Sequence, residues 1–136
     1  MNNDTSDNYK NRFRCLIVED NIQTVEILVI ALEKNGIATV TAKNGREGLQ
    51  LYLENSLKYN MILVDLQMPV MNGYEMTKQI RESGISHSRT IPIVAMSGAC
   101  TVDVAKCGFD YFLKKPFTMC RLTEIIQEIR QTNKTD

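Results

Sequence analysis

Four short apolar runs in this sequence each end on residues able to do chemistry. Glu19-Asp20-Asn21 follow RCLIV, Asp65 closes MILVD, Ser97-Gly98 follow IPIVAM, and Lys114-Lys115-Pro116 close YFLK. Read as strands of one parallel sheet, the four ends share an edge. Carboxylates a few ångströms apart repel by roughly 4 kcal/mol per pair at 4 Å and an effective dielectric near 20, so a cationic group is expected among Glu19, Asp20 and Asp65. The ligands on offer are oxygens. They favour a hard ion, and a carboxylate site sharing its cation with a phosphoryl group suits Mg²⁺ better than a dedicated Ca²⁺ cage. Asp65 is then suited to act as a nucleophile toward phosphorus, with the metal and Lys115 drawing charge from the transferring group and Ser97 donating a hydroxyl to it.

Each residue alone also has an ordinary reading. Asp20 followed by Gln23 fits a helix N-cap box, a role compatible with metal ligation. Asp65 reads as a polar strand end, Ser97 as a turn or cap hydroxyl, Lys115 as a solvated side chain, and Phe112, Met68 and Met71 as core. The shared edge is what favours chemistry. His87, the sole histidine, lies in the polar stretch SGISHSRT away from that edge and is assigned no chemistry.

The elements that position these residues follow from hydrophobic period. Five short runs rich in branched residues read as strands over 14–19, 37–42, 61–65, 91–96 and 111–114. Between the first two, Ile22, Val25, Leu28, Val29 and Leu32 recur at helical spacing, and Asn35-Gly36 supplies a left-handed stop. Helices are also expected over 44–55, 73–84 and 117–131, the last with Pro116 just before it as a helix-start signal. The connection between the fourth and fifth strands leaves only residues 99–107 for a helix. Continuous apolar strands alternating with helices imply a parallel sheet covered on both faces. Right-handed crossovers favour a doubly wound α/β fold with strand order 2-1-3-4-5, whose crevice lies at the C-terminal ends of strands one and three.

The bulk numbers limit the alternatives. A chain of 136 residues with 43% hydrophobic content fits one domain, expected over 13–131, with a polar tail before it and a short tail over 132–136. Sixteen basic and sixteen acidic residues cancel, leaving no charge excess to argue for nucleic acid or an anionic membrane. Cys15, Cys100, Cys107 and Cys120 form no CxxC pair and read as reduced, small hydrophobes. The first twelve residues lack the apolar stretch of a secretory signal, and no segment reaches a membrane-spanning length, so a cytoplasmic protein is expected. Neither GxxxxGK[ST] nor GxGxxG is present, and carboxylates after strand one would repel a nucleotide phosphate unless a metal intervened.

Taken in order, LIVEDN (16–21), LVDLQMPVMNGYE (63–75), AMSG (95–98) and FLKKPF (112–117) resemble the receiver domain of two-component response regulators over nearly all of residues 14–131. The resemblance implies a flavodoxin-like fold and a phosphorylation-dependent switch. Asp65 would receive a phosphoryl group from the phosphohistidine of a histidine kinase or histidine phosphotransfer protein. Asp20 would hold Mg²⁺ directly and Glu19 through water, with Asp65 and the Gln67 backbone carbonyl as further ligands. Ser97 and Lys115 would bind phosphoryl oxygens, and Phe112 stands where the family has an aromatic that turns inward with the hydroxyl. The Lys115–Pro116 peptide would be cis, and Gly73 would let the loop after Asp65 turn closely past the site.

Two departures accompany the resemblance. Ser97 and Gly108 stand eleven residues apart, about one helical turn of roughly four residues short, so the fourth of five helices should be stunted or irregular. Gly98 replaces a common small Ala. The expected activity is that of a phosphoacceptor assisting its own phosphotransfer and dephosphorylation, either free-standing or as part of a hybrid sensor kinase or phosphorelay. The rival from another class is a pseudo-receiver, an interaction module that makes no use of phosphate. A phosphatase with an aspartate nucleophile is a second rival, opposed by Gln67 where such enzymes usually carry a second acid.

Overall fold

A computed structural model describes residues 12–98, 103 and 105–134. Five parallel strands, β1 (Arg14–Val18), β2 (Ala38–Ala42), β3 (Met61–Asp65), β4 (Ile93–Ser97) and β5 (Tyr111–Lys114), form one sheet in the order β2-β1-β3-β4-β5. Among the described residues, four α-helices and a 3-10 turn over Ser56–Lys58 connect or follow them: α1 (Ile22–Lys34), α2 (Gly45–Glu54), α3 (Gly73–Glu82) and α4 (Met119–Lys134). The doubly wound architecture and strand order are those expected.

Burial explains the register. Every residue of β1, β3 and β4 is buried, whereas edge strands β2 and β5 are partly open. Successive side chains alternate between two cores, as a period of two requires. Cys15, Ile17 and Leu63 face α1 and α4, where Leu28, Leu32, Ile125 and Ile129 meet them. Leu16, Val18 and Val64 face α2 and α3, against Tyr52, Met76 and Ile80. A one-residue slip in any central strand would exchange the two sets. Burial pushes the Cys15 thiol well above its ordinary value, so this cysteine behaves as a core hydrophobe. Among the described residues no helix is long and apolar enough to cross a membrane.

The helix ends are set by asparagines more than by the residues expected. Asn21, not Asp20, caps α1, its side chain accepting from Thr24 N at 2.9 Å. Asn44 and Asn72 cap α2 and α3 in the same way. The stop at Asn35-Gly36 is a Schellman arrangement: Gly36 takes a φ of 76°, Gly36 N donates to Glu33 O and Ile37 N to Leu32 O. On α1 the expected face is narrower than its spacing implies. Leu28, Ala31 and Leu32 are buried, but Ile22 is exposed.

Helix α4 departs from expectation at both ends. It begins at Met119, two residues later than expected, with Thr118 Oγ1 accepting from Arg121 N at 3.1 Å. It runs on through Lys134, three residues into the stretch expected to be tail. Residues 1–11 of the expected N-terminal tail lie outside the described residues. So do 99–102 and 104 of the expected short fourth helix. In the described part of that connection, Ala105–Gly108 form a turn, with Gly108 N donating to Ala105 O.

Candidate functional site

The four strand ends do converge. The β1–β3, β3–β4 and β4–β5 pairings bring Val18 beside Val64, Asp65 beside Met96, and Ser97 beside Lys114. Glu19, Asp65 and Ser97 are buried at this edge and Asp20 is exposed. Lys115, expected to face a phosphoryl group, places its own positive charge among these carboxylates. Its Nζ lies 2.7 Å from Glu19 Oε1 and 3.2 Å from Asp65 Oδ2. The Lys115–Pro116 peptide is cis, and Lys115 N donates to Ser97 O at 2.8 Å, so β5 is tied to the end of β4 where the ammonium turns inward.

The carboxylates are oriented by backbone donors as well. Glu19 Oε2 accepts from Asn21 N at 3.1 Å, and Asp65 Oδ1 accepts from Gln67 N at 3.0 Å. Each bond turns a loop just after its strand back onto the side chain, leaving the Lys115-facing oxygens toward the centre. The Asn21 contribution is absent from the expected set of site residues. The donor is a backbone N–H that nearly any residue type would supply, so the sequence carried no signal for it.

Electrostatics follow from two buried acids sharing one ammonium. Burial and the neighbouring Asp65 charge raise the Glu19 carboxyl above its ordinary value, against the opposing help of Lys115 and the Asn21 N–H. Burial works against the charged form of Lys115. The hydrogen bonds and charges of Glu19 and Asp65 outweigh that effect and hold the ammonium above its ordinary value. Lys115 is therefore a fixed positive charge at neutral pH, and a net negative charge remains at the edge.

That charge has a suitable use. Glu19, Asp20 and Asp65 each offer a carboxylate oxygen, all within 4.8 Å of one another. Three hard donors, one of them open to solvent, fit a small divalent ion that keeps some of its water. Gln67 follows directly in the loop, its N–H already turned to Asp65.

The loop beyond Gln67 is tightly held. Met71 N donates to Pro69 O across Val70, whose φ of 72° makes this a γ-turn of the strained kind. Met71 O accepts from Gly45 N at 2.9 Å, and a Cβ at Gly45 would fall 2.3 Å from that oxygen. Gly73 returns so closely that a Cβ there would lie 2.6 Å from Asp65 O. Phe112 is half-buried, opposite Ala95 in the pairing with β4, and packs on the α2–α3 side of the sheet. His87, expected to lack chemistry, is structural: its Nε2 is 2.7 Å from Ser56 O and its ring lies 6.0 Å from that of Tyr52.

Comparison with known proteins gives the family. A family model, the response regulator receiver domain, matches residues 15–127. The peroxide stress-activated histidine kinase mak1 of Schizosaccharomyces pombe is 36% identical over 126 residues, covering 88% of this chain and 8% of that protein. Two-component response regulator 24 of Arabidopsis thaliana is 28% identical, with 88% and 86% covered. Chemotaxis response regulator CheY4 of Vibrio cholerae superposes with a TM-score of 0.79 at 26% identity, covering 88% of this chain and 99% of that one. Against mak1 and two hybrid signal transduction histidine kinases of Dictyostelium discoideum, the chain spans only 7–10% of the relative's length. Strand order and sequence match agree, and the chain belongs to the response regulator receiver domain family.

Proposed function

We propose that this chain is a phosphorylation-dependent switch in which Asp65 accepts a phosphoryl group from the phosphohistidine of a histidine kinase or a histidine phosphotransfer protein. The observation that carries this reading is the placement of Lys115 Nζ between Asp65 Oδ2 and Glu19 Oε1, with Asp20 beside them. An ammonium at 3.2 Å from the nucleophilic carboxylate sits where charge develops on a transferring phosphoryl group.

In the transfer, one Asp65 oxygen forms the new P–O bond as the donor's P–N bond breaks. The imidazole keeps that electron pair and leaves neutral, with a proton on its other ring nitrogen. Lys115 and the Ser97 hydroxyl bind the phosphoryl oxygens. Glu19, Asp20, Asp65 and the Gln67 carbonyl would hold Mg²⁺, which when bound supplies positive charge beside those oxygens. The same groups serve attack of water on the aspartyl phosphate, so the domain assists its own dephosphorylation. The switch couples Ser97 to Phe112 on the neighbouring strand and changes the surface a downstream protein meets.

Incubation of the purified chain with Mg²⁺ and acetyl phosphate, followed by intact mass measurement, tests the proposal. One phosphoryl group should be gained, and a chelator should prevent it. No gain at any Mg²⁺ concentration would favour the phosphate-independent interaction module.

A further inference from the structure

Arg81, near the end of α3, has a side chain only 16% exposed, yet it lies far from the acidic edge and the proposed chemistry makes no use of it. Its five N–H groups are all engaged. Nε donates to Gly108 O at 3.0 Å, and one terminal nitrogen donates to Gly108 O at 2.7 Å and to Asp110 Oδ2 at 3.0 Å. The other terminal nitrogen donates to Ser88 O at 3.1 Å and Ile91 O at 2.8 Å. A guanidinium has no further donors. Arg81 therefore binds the chain segments that lead into both β4 and β5.

The rest of that face of α3 meets the same segment. Tyr74 packs edge-on against Phe109 with ring centroids 5.8 Å apart, and Thr77, fully buried, lies so close that a Cβ on Gly108 would be 3.3 Å from its methyl. Residues 74, 77 and 81 recur at helical spacing along one stripe. Gly108 adopts a φ of 91°, a backbone state that favours glycine, and this places its carbonyl under the guanidinium.

The two ends of α3 thus have distinct attachments. Gly73 presses on the Asp65 backbone at one end, and Arg81 grips Gly108 and Asp110 at the other. Asp110 closes a circuit: its Oδ2 also accepts from Ile93 N at 2.9 Å, and its N donates to Ile93 O at 2.9 Å, at the start of the strand that ends on Ser97. Asp65, α3, Arg81, Asp110 and β4 form one continuous chain of contacts from the acceptor to the hydroxyl.

We propose that Arg81 couples the acceptor loop to the 108–111 surface, so that α3 reports the state of Asp65 there. This rests on Asp65 being the phosphoacceptor. A saturated planar fork has no spare donor to absorb a shift, so a small movement of α3 either carries Gly108–Asp110 with it or breaks charge-assisted bonds. Arg81 is a positioning residue, acting through backbone and Asp110 and touching no reacting atom.

Amide hydrogen exchange on the intact chain, with and without Mg²⁺ and beryllofluoride, tests this in wild type, Arg81→Lys and Asp110→Asn. In wild type, the probe should change exchange both in the 66–73 loop and at residues 108–111. In Arg81→Lys, which keeps the charge and loses the fork, residues 108–111 should exchange about tenfold faster without the probe, the effect of about 1.4 kcal/mol of lost bonding. They should also lose their response to it, while the 66–73 response persists. Asp110→Asn should weaken the response in the same direction, and it decides the matter if Arg81→Lys does not fold. An unchanged 108–111 response in the folded variants, or a wild-type response confined to 66–73, overturns the coupling alone. A wild type silent at 66–73 as well overturns the phosphoacceptor reading and the coupling with it.

Discussion

Asp65→Asn is expected to take up no phosphoryl group under conditions that modify the wild type completely. Asp65 is held by the Gln67 N–H on one oxygen and by Lys115 on the other. An amide of the same shape keeps an acceptor for one of these donors, yet it has no anionic oxygen to attack phosphorus. The fold should survive. Removing one of two buried acids that share a single ammonium relieves repulsion with Glu19, so the variant is expected to unfold at a urea concentration equal to or above that of the wild type. Intact mass and urea titration together separate lost chemistry from lost structure. Phosphoryl uptake by the folded variant would place the acceptor elsewhere.

Lys115→Met is expected to slow phosphoryl uptake from acetyl phosphate by about 10²–10³-fold, the range found when one preorganised charge-stabilising donor is removed. Two further readouts distinguish this from simple damage. The variant leaves Glu19 and Asp65 facing each other without their cation, so the metal-free protein should lose about 1–3 kcal/mol of stability by urea titration. It should also bind Mg²⁺ more tightly, because a competing positive charge has gone, and saturating Mg²⁺ should restore much of the stability. Alkaline behaviour gives a signed check. The ammonium is held above its ordinary value, so its stabilising contribution is complete below the unfolded value near 10.5 and is lost as pH rises through the folded one. Buried Cys15 and Tyr52 also cost stability at alkaline pH, so both proteins should lose stability there, and Lys115→Met should lose less than wild type. Uptake by the variant at wild-type speed would remove Lys115 from the chemistry.

The legible and illegible parts of the molecule divide along a physical line. The strands were legible because burial on both faces forces continuous apolar runs, and MILVD maps onto β3 residue for residue. The convergence of Glu19, Asp20, Asp65 and Lys115 was legible for a related reason: in a parallel sheet every strand ends at one edge, so residues far apart in sequence need only lie just past their strands. Even the need for a cation among the acids followed from Coulomb repulsion alone.

What escaped depends on backbone groups, which carry no residue signature. Arg81 donates to carbonyls of Ser88, Ile91 and Gly108, and any residue types there would present the same acceptors. The His87 contact with Ser56 O is hidden in the same way. Helix starts were misassigned where two plausible caps stood in line. Asp20 and Asn21 are both good N-cap residues, and Asp20 sits with the other two carboxylates of the edge while the neighbouring amide caps the helix. Pro116 signals a helix start nearby, but Phe117 and Thr118 follow it before α4 begins at Met119, where the Thr118 hydroxyl accepts from Arg121 N.

The most direct measurement of the central claim is a crystal structure of the chain grown with Mg²⁺ and beryllofluoride. The account predicts beryllium bonded to an Asp65 carboxylate oxygen, Lys115 Nζ and Ser97 Oγ contacting its fluorines, and a cation held among Glu19, Asp20 and Asp65. Beryllofluoride bound away from Asp65, or Lys115 still paired to both acids with neither probe nor cation in the crevice, would contradict it.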